Sequence, residues 1–279
     1  MQDDAPGSGS ALRSLCVAAA ALCMGLQGCS TLRTTMLRDA RVLDRGESEY
    51  GFDFSTSAAL TDRTLSLARK DDDLLRAVVD SSYATHNDVS GGPLWGASYS
   101  RGLGQDMQAD FGAYVGPIPW DAVGVEAGFK NRLAGNGENA VSSYLRLAAG
   151  VASDKVNIMA VHPALPGGYG TTAQLKTHTV ECDVMAMATT GNPETSYVYF
   201  NAGFGGGSIF YDFRPDYDDH WEFQEKGRVD MYGVKMYVGT VMQFTEVEVT
   251  LEAGYLFMNY GHLPSIGLRA SLVRPGSKH

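Results

Sequence analysis

The sequence predicts an all-β fold, an antiparallel up-and-down β-barrel of about ten strands, with about 8 to 12 possible. Three observations predict it. Apolar and polar residues alternate with a period of two in successive segments of the chain. Charged residues fall on one side of that alternation and apolar residues on the other. The connections between segments are short at one end of the predicted barrel and long at the other, as in barrels that span outer membranes.

The alternation is clearest in segment 246–255, where valine and leucine alternate with glutamate. Because successive side chains of a strand point to opposite faces, we expect Val249 and Leu251 to face outward. The other predicted strands occupy 49–56, 94–101, 108–115, 123–130, 144–151, 179–188, 196–204, 234–239 and 266–272. Segment 62–82 breaks the pattern, and the acidic run Asp71–Asp73 favours the start of a helix. We therefore expect a short helix in the first long loop.

The charged residues of the polar face form the candidate functional site. In a narrow barrel they are expected to pair with one another inside the lumen, which side chains then fill. The alternative is that Glu246, Glu248 and Glu252 line a path for cations through the lumen. The predicted lumen network consists of Glu126, Lys130, Arg146, Glu181, Asp183, Lys235, Glu246, Glu248, Glu252 and Arg269.

Other sites have little support in the sequence. Neither HExxH nor CxxC spacing occurs, so we expect no catalytic metal site, no cofactor and no enzymatic activity. The net charge of −10 makes nucleic acid a poor partner. An acidic cluster in the predicted loop 208–228 is expected to be solvated, with Ca²⁺ or lipopolysaccharide as alternative contacts. That cluster comprises Asp216, Asp218, Asp219, Glu222 and Glu225.

The N-terminus has the features of a bacterial export signal. Arg13 precedes an apolar run over 14–26, which is shorter than the roughly 20 residues of a membrane-spanning helix. The run ends at Leu26-Gln27-Gly28-Cys29, which resembles the lipobox of bacterial lipoproteins. The resemblance implies cleavage before Cys29 and lipidation of its thiol. The predicted domains are a signal peptide (1–28), a lipidated polar tether (29–46), a β-barrel (47–273) and a polar tail (274–279).

A second resemblance concerns the first strands. Segment 40–52 is similar to the segment that leads into the first strand of predicted outer-membrane lipoprotein barrels. Segments 99–104, 112–114 and 124–130 are similar to the strands that follow it in such proteins. The chain departs from many barrels at its end, because the last strand finishes on Leu272-Val273 and a polar tail instead of an aromatic residue.

These features imply a lipid-anchored outer-membrane barrel with a structural, surface-interaction or minor-pore role. Outer-membrane lipid is its expected partner, with lipopolysaccharide as a further candidate, and no protein partner is indicated. The lipid anchor and the short turns are expected on the periplasmic side, with the loop 208–228 opposite. Two alternatives stay open: a periplasm-facing soluble β-barrel lipoprotein that binds an apolar ligand, and a lipid-modifying barrel enzyme that uses His262 and Ser265.

Overall fold

The strands of the barrel are long and follow one another closely along the chain. The computed structural model describes residues 32–58, 82–84, 93–104, 106–116, 122–135, 138–160, 169–216, 225–259 and 261–274. Its strands are β1 (Leu32–Arg33), β2 (Ser48–Ala58), β3 (Ser82–Ala84), β4 (Pro93–Gly104), β5 (Met107–Val115), β6 (Ala122–Gly135), β7 (Asn139–Ala160), β8 (Tyr169–Asn192), β9 (Ser196–Asp216), β10 (Glu225–Phe244), β11 (Val247–Met258) and β12 (Gly261–Arg274).

Ten of these strands form a closed antiparallel barrel. From β4 to β12 each strand pairs with the next, and β2 pairs with both β12 and β4, which closes the sheet. The predicted up-and-down barrel of about ten strands is therefore confirmed. The predicted helix over 62–82 lies outside the described residues, apart from Ser82, which begins β3. Within the described ranges, no helix has the length and apolarity needed to cross a membrane.

The two ends of the barrel differ. At the short-turn end, β8 and β9 are joined by residues 193–195, and β10 and β11 by residues 245–246. At the opposite end, which we call the long-strand end, strands β7 to β10 extend to 22, 24, 21 and 20 residues. A membrane crossing needs only about 9–11 residues of strand, so these strands are long enough to project well beyond a bilayer.

The prediction of long loops at this end, among them the loop 208–228, is therefore wrong in part. Strand pairing continues to Ala160 and Tyr169 in one hairpin and to Asp216 and Glu225 in the other. In these extensions the outward positions also carry polar side chains, such as Lys176 and Arg228, so the alternation of apolar and polar residues that marks a strand weakens. Most of the acidic cluster predicted in 208–228 lies in 217–224, outside the described residues.

The outward face of the barrel is apolar. Large exposed side chains cover it, among them Phe52, Phe111, Val125, Leu147, Val184, Phe200, Phe204, Val238 and Ile266. Leu251 is 42% exposed on this face, as its position in the alternation predicts. Val249 is only 5% exposed, although the alternation gives it the same face. Charged outward residues such as Arg228 and Asp230 lie towards the long-strand end, at the edge of the apolar belt, where Arg228 lies opposite the exposed Phe210.

Glycines on the inward face make room for tyrosine rings. Gly124 lies directly opposite Tyr114 on the neighbouring strand, and Gly239 lies opposite Tyr199. A Cβ atom at either glycine would collide with the tyrosine ring. The large inward rings can therefore lie flat against the wall, which is a known means of covering glycines in sheets.

Candidate functional site in the barrel lumen

The N-terminal segment of the described chain runs through the lumen. Residues 33–43, which we call the plug, lie inside the ring of ten strands and contact side chains from most of its circumference. The burial is nearly complete, since Thr34 and Leu37 are each 1% exposed and Ala40 is 0% exposed. The sequence predicts this stretch as part of the lipidated polar tether (29–46), separate from the barrel domain (47–273). In the structure it fills the space that a pore would need.

The plug has a defined direction. At the long-strand end, Leu32 pairs with Ala58, the last residue of β2. At the short-turn end, the Leu43 amide donates a hydrogen bond to Gln108 Oε1 at 2.9 Å. The chain then reverses through residues 44–47 and enters β2. The plug therefore crosses the barrel antiparallel to β2, and its first residue lies at the end opposite to the short turns.

Side chains of the wall satisfy the backbone of the plug. Glu252 accepts the Met36 and Leu37 amides, through Oε1 at 2.7 Å and Oε2 at 2.8 Å. The Ala40 amide donates to Thr189 Oγ1 at 2.9 Å, and Asn201 Nδ2 donates to the Arg38 carbonyl at 2.7 Å. A buried backbone group needs such a partner. Polar side chains of the wall are thus placed where the backbone of the plug needs hydrogen-bond partners.

An ion-pair network links the plug to the wall near the long-strand end. Arg33 bridges two carboxylates, with Nη2 at 3.0 Å from Asp53 and Nη1 at 2.9 Å from Glu126. The second oxygen of Glu126 is 2.9 Å from Arg146 Nε. Arg146 continues to Asp183 at 2.8 Å, which is also 2.7 Å from Lys235 Nζ.

This network is deeply buried, and each ion is compensated by a neighbour. Charges taken out of water are tolerated only when they are paired and hydrogen-bonded. Glu181 lies in the same group, 3.2 Å from Arg146 and 3.6 Å from Lys235. Gly205 leaves space for the Asp183–Lys235 ion pair, because a Cβ atom at this position would collide with both side chains.

A second ion cluster closes the short-turn end. Arg41 contacts Glu248 at 3.0 Å and Asp39 at 2.9 Å, and its guanidinium lies 4.0 Å from the centre of the Tyr197 ring. The Tyr197 hydroxyl donates to Asp39 at 2.6 Å. Lys130 Nζ donates to the Arg41 carbonyl at 2.8 Å. A cavity of about 330 Å³ remains beside this cluster, lined by charged side chains of plug and wall.

The plug complements the charge of the wall. Acidic side chains outnumber basic ones on the described, buried part of the wall. The acids are Asp53, Asp110, Glu126, Glu181, Asp183, Glu248 and Glu252, and the bases are Lys130, Arg146, Lys235 and Arg269. The plug brings in Arg33, Arg38 and Arg41 against Asp39 alone. A wall without the plug would hold an excess of buried negative charge.

The structure brings most residues of the predicted lumen network together. Arg269 donates to the Leu37 carbonyl at 3.3 Å and is 3.0 Å from Glu49. Glu246 does not join them, because it lies exposed in the turn between β10 and β11. The alternation places Glu246 in the lumen only if the strand begins at Glu246. In the structure Glu246 is still part of the turn, and β11 begins at Val247.

The sequence reasoning missed other members of the site. Asp53 and Asp110 occupy the polar positions of their strands and could have been identified from the same alternation. The charged residues of the plug could not, because an irregular segment has no period that assigns a face. Their signal is instead the excess of arginine in 33–41, which matches the acidic excess of the predicted lumen.

His262 and Ser265 do not form a site together. They are three residues apart on β12, so they point to opposite faces. His262 is exposed, stacks on the outward ring of Tyr255 and meets the ring of Phe257 edge-on, whereas Ser265 is buried in the lumen. Among the described residues, no group of three or more His, Cys, Asp or Glu side chains is arranged to hold a metal ion.

The chain is similar in structure to several solved barrels. No protein-family model matches it, and none of the curated proteins does. Ail, the attachment invasion locus protein of Yersinia pestis, matches with a TM-score of 0.38 and 9% identity, over 82% of this chain and 99% of that one. The N-terminal β-barrel domain of Pseudomonas aeruginosa OprF matches with a TM-score of 0.32 and 13% identity, over 83% of this chain and 100% of that one. The translocator domain of the autotransporter NalP from Neisseria meningitidis matches with a TM-score of 0.40 and 8% identity, over 85% of this chain and 90% of that one.

Proposed function

We propose that this protein is a lipid-anchored outer-membrane barrel whose lumen is closed by its own N-terminal segment, and that it acts as a structural or surface-interaction protein. The observation that carries the proposal is the division of the wall into two faces. The outward face presents an apolar belt that would be unfavourable in water, while the ionic side chains turn inward and pair. A charge on the lipid-facing side would cost about 2–4 kcal/mol at the bilayer midplane.

A minor-pore role has less support than a structural one. The plug occupies the lumen, and wall side chains hold its backbone at several points between the two ends. The cavity at the short-turn end is bounded on its inner side by Leu37 and Arg38 of the plug. Ions would have to displace the plug before they could cross.

Binding of an apolar ligand by a soluble form is also less well supported. A barrel that encloses an apolar ligand needs an apolar cavity. Here the cavity at the short-turn end is lined largely by charged side chains. The buried apolar side chains of the wall, such as Met185 and Leu256, belong to a packed cluster that includes Met36 of the plug. The lipid-modifying enzyme is disfavoured by the separation of His262 from Ser265.

Membrane fractionation combined with gel mobility tests the proposal. We expect the full chain in the outer-membrane fraction, where extraction at high salt or high pH leaves it. An unheated sample should migrate faster than a boiled one, because a closed barrel stays compact in detergent. Metabolic labelling with a palmitate analogue should mark the wild type and not Cys29→Ser. A protein that is released from membranes by proteolysis near the lipid, and is then soluble without detergent, would contradict the membrane-spanning barrel.

A further inference from the structure

The direction of the plug fixes the end of the barrel at which the lipid must lie. The first plug residue, Arg33, is at the long-strand end, where Leu32 pairs with the last residue of β2. Cys29 precedes Leu32 by three residues, which span at most about 11 Å of fully extended chain. β2 crosses the barrel wall with 11 residues, a length of about 36 Å. A lipid on Cys29 therefore cannot reach the short-turn end while the plug is in place.

The long-strand end has the properties of an extracellular end. Its strands continue to the edge of the apolar belt and beyond, and their outward positions there carry Lys226, Arg228 and Asp230. The opposite end has tight turns, and it is there that β2 begins and β12 ends. Short periplasmic turns and larger extracellular structures are typical of outer-membrane barrels. Leu32 lies at the same end of the barrel as Asp216 and Glu225, the described ends of the β9–β10 hairpin. An anchor just before Leu32 would therefore be on the same side as the loop 208–228, in contrast to the expectation from the sequence.

We propose that the protein is threaded, with the lipidated Cys29 at the cell surface and the plug leading back through the lumen to the periplasmic start of β2. This inference rests on the proposed function, which supplies the lipid on Cys29 and the membrane around the barrel. The acyl chains would enter the outer leaflet beside the long-strand end, so the lipid partner of the anchor is the surface leaflet. A tether on the periplasmic side would require the plug to leave the lumen.

The energetic cost of the alternative is high. Withdrawal of the plug would leave Glu252, Asp53 and Glu126 without the donors that Met36, Leu37 and Arg33 supply. A buried carboxylate that loses its partner is strongly destabilising. The lumen would become more negatively charged at the same time, because Arg33, Arg38 and Arg41 would leave it with the plug. The threaded arrangement is therefore the one that keeps the described contacts.

Site-specific labelling of cysteine on intact cells tests the threading. The full chain would carry Cys182→Ala to remove the thiol on the outward face, and then one of three substitutions: Thr31→Cys just before the plug, Asp230→Cys at the long-strand end, or Glu194→Cys in the β8–β9 turn. A membrane-impermeant maleimide is applied before and after permeabilisation of the outer membrane. We expect Thr31→Cys and Asp230→Cys to be labelled on intact cells, and Glu194→Cys only after permeabilisation.

Lipidation is measured on the same variants with the palmitate analogue, so that two failures can be told apart. Loss of lipid from the otherwise wild-type chain would overturn the proposed function, and the surface anchor with it. A lipidated protein in which Thr31→Cys is protected together with Glu194→Cys would overturn the threading and leave the proposed function intact. The reactivity of Asp230→Cys reports independently which end of the barrel faces outward.

Discussion

At the scale of single residues, two glutamates six positions apart on the sequence have different roles. Glu252 is 2% exposed and accepts two backbone amides of the plug and the hydroxyl of Tyr199, the last at 2.8 Å. Glu246 lies exposed in a turn. A buried donor left without an acceptor costs about 1–3 kcal/mol, so the loss of the Glu252 carboxylate affects several groups at once.

We therefore expect Glu252→Ala to lower the free energy of unfolding in detergent by about 3 kcal/mol or more. Glu246→Ala, the matched control, should change it by less than about 0.5 kcal/mol, as is usual for exposed positions. Urea unfolding of the refolded barrels, followed by the gel mobility of unheated samples, measures both. Equal destabilisation by the two substitutions would contradict the assignment of Glu252 as the residue that holds the plug.

At the scale of the secondary-structure element, the two faces of β11 lie in different environments, one in the lumen and one on the outward belt. Its even-numbered glutamates Glu248 and Glu252 contact the plug, and its odd-numbered Leu251 and Tyr255 lie on the outward belt. The register with β10 and β12 is continuous over its whole length. A change on the outward side therefore tests the membrane contact without touching the lumen.

Leu251→Arg should reduce accumulation of the folded barrel in the outer membrane, because it places a charge in lipid at a cost of about 2–4 kcal/mol near the midplane. The control Glu246→Arg introduces the same side chain in the exposed turn and should accumulate normally. Quantitative blots of the heat-modifiable form in outer-membrane fractions compare them. If both variants accumulated to the wild-type level, the apolar belt would not be in contact with lipid.

Apart from Arg33, which ends β1, the plug has no secondary structure, and its removal should open the lumen. A chain that lacks residues 33–43 keeps the ten barrel strands but loses the segment that fills their interior. We expect the purified variant to show ion conductance in planar bilayers, selective for cations because acids predominate on the remaining wall. The wild type should show little conductance under the same conditions. A folded, heat-modifiable deletion variant that does not conduct would mean that the wall alone closes the lumen.

At the scale of the whole molecule, the sequence predicts the parts of the fold in which the two faces of the wall differ in polarity. Where the outward positions are apolar and the inward positions polar, the alternation predicts the strands, their faces and their approximate number. It also assigns most of the charged lumen residues, such as Arg146 and Asp183. The strand extensions are harder to predict, since polar side chains at their outward positions weaken the alternation. The plug is harder still, because its burial depends on a wall built from residues far away in the sequence.

The arrangement of the plug inside the closed barrel is the central claim, and a disulfide trap tests it most directly. Ala40 and Thr189 are 149 residues apart in the sequence, and the Ala40 amide lies 2.9 Å from Thr189 Oγ1. In a Cys182→Ala background, the pair Ala40→Cys and Thr189→Cys should form a disulfide in cells, seen as a mobility shift on non-reducing gels. The pair Ala40→Cys and Thr190→Cys should not, because Thr190 is exposed on the outward face. Absence of the disulfide in the first pair under oxidising conditions, or equal yields from both pairs, would contradict a plug that occupies the lumen.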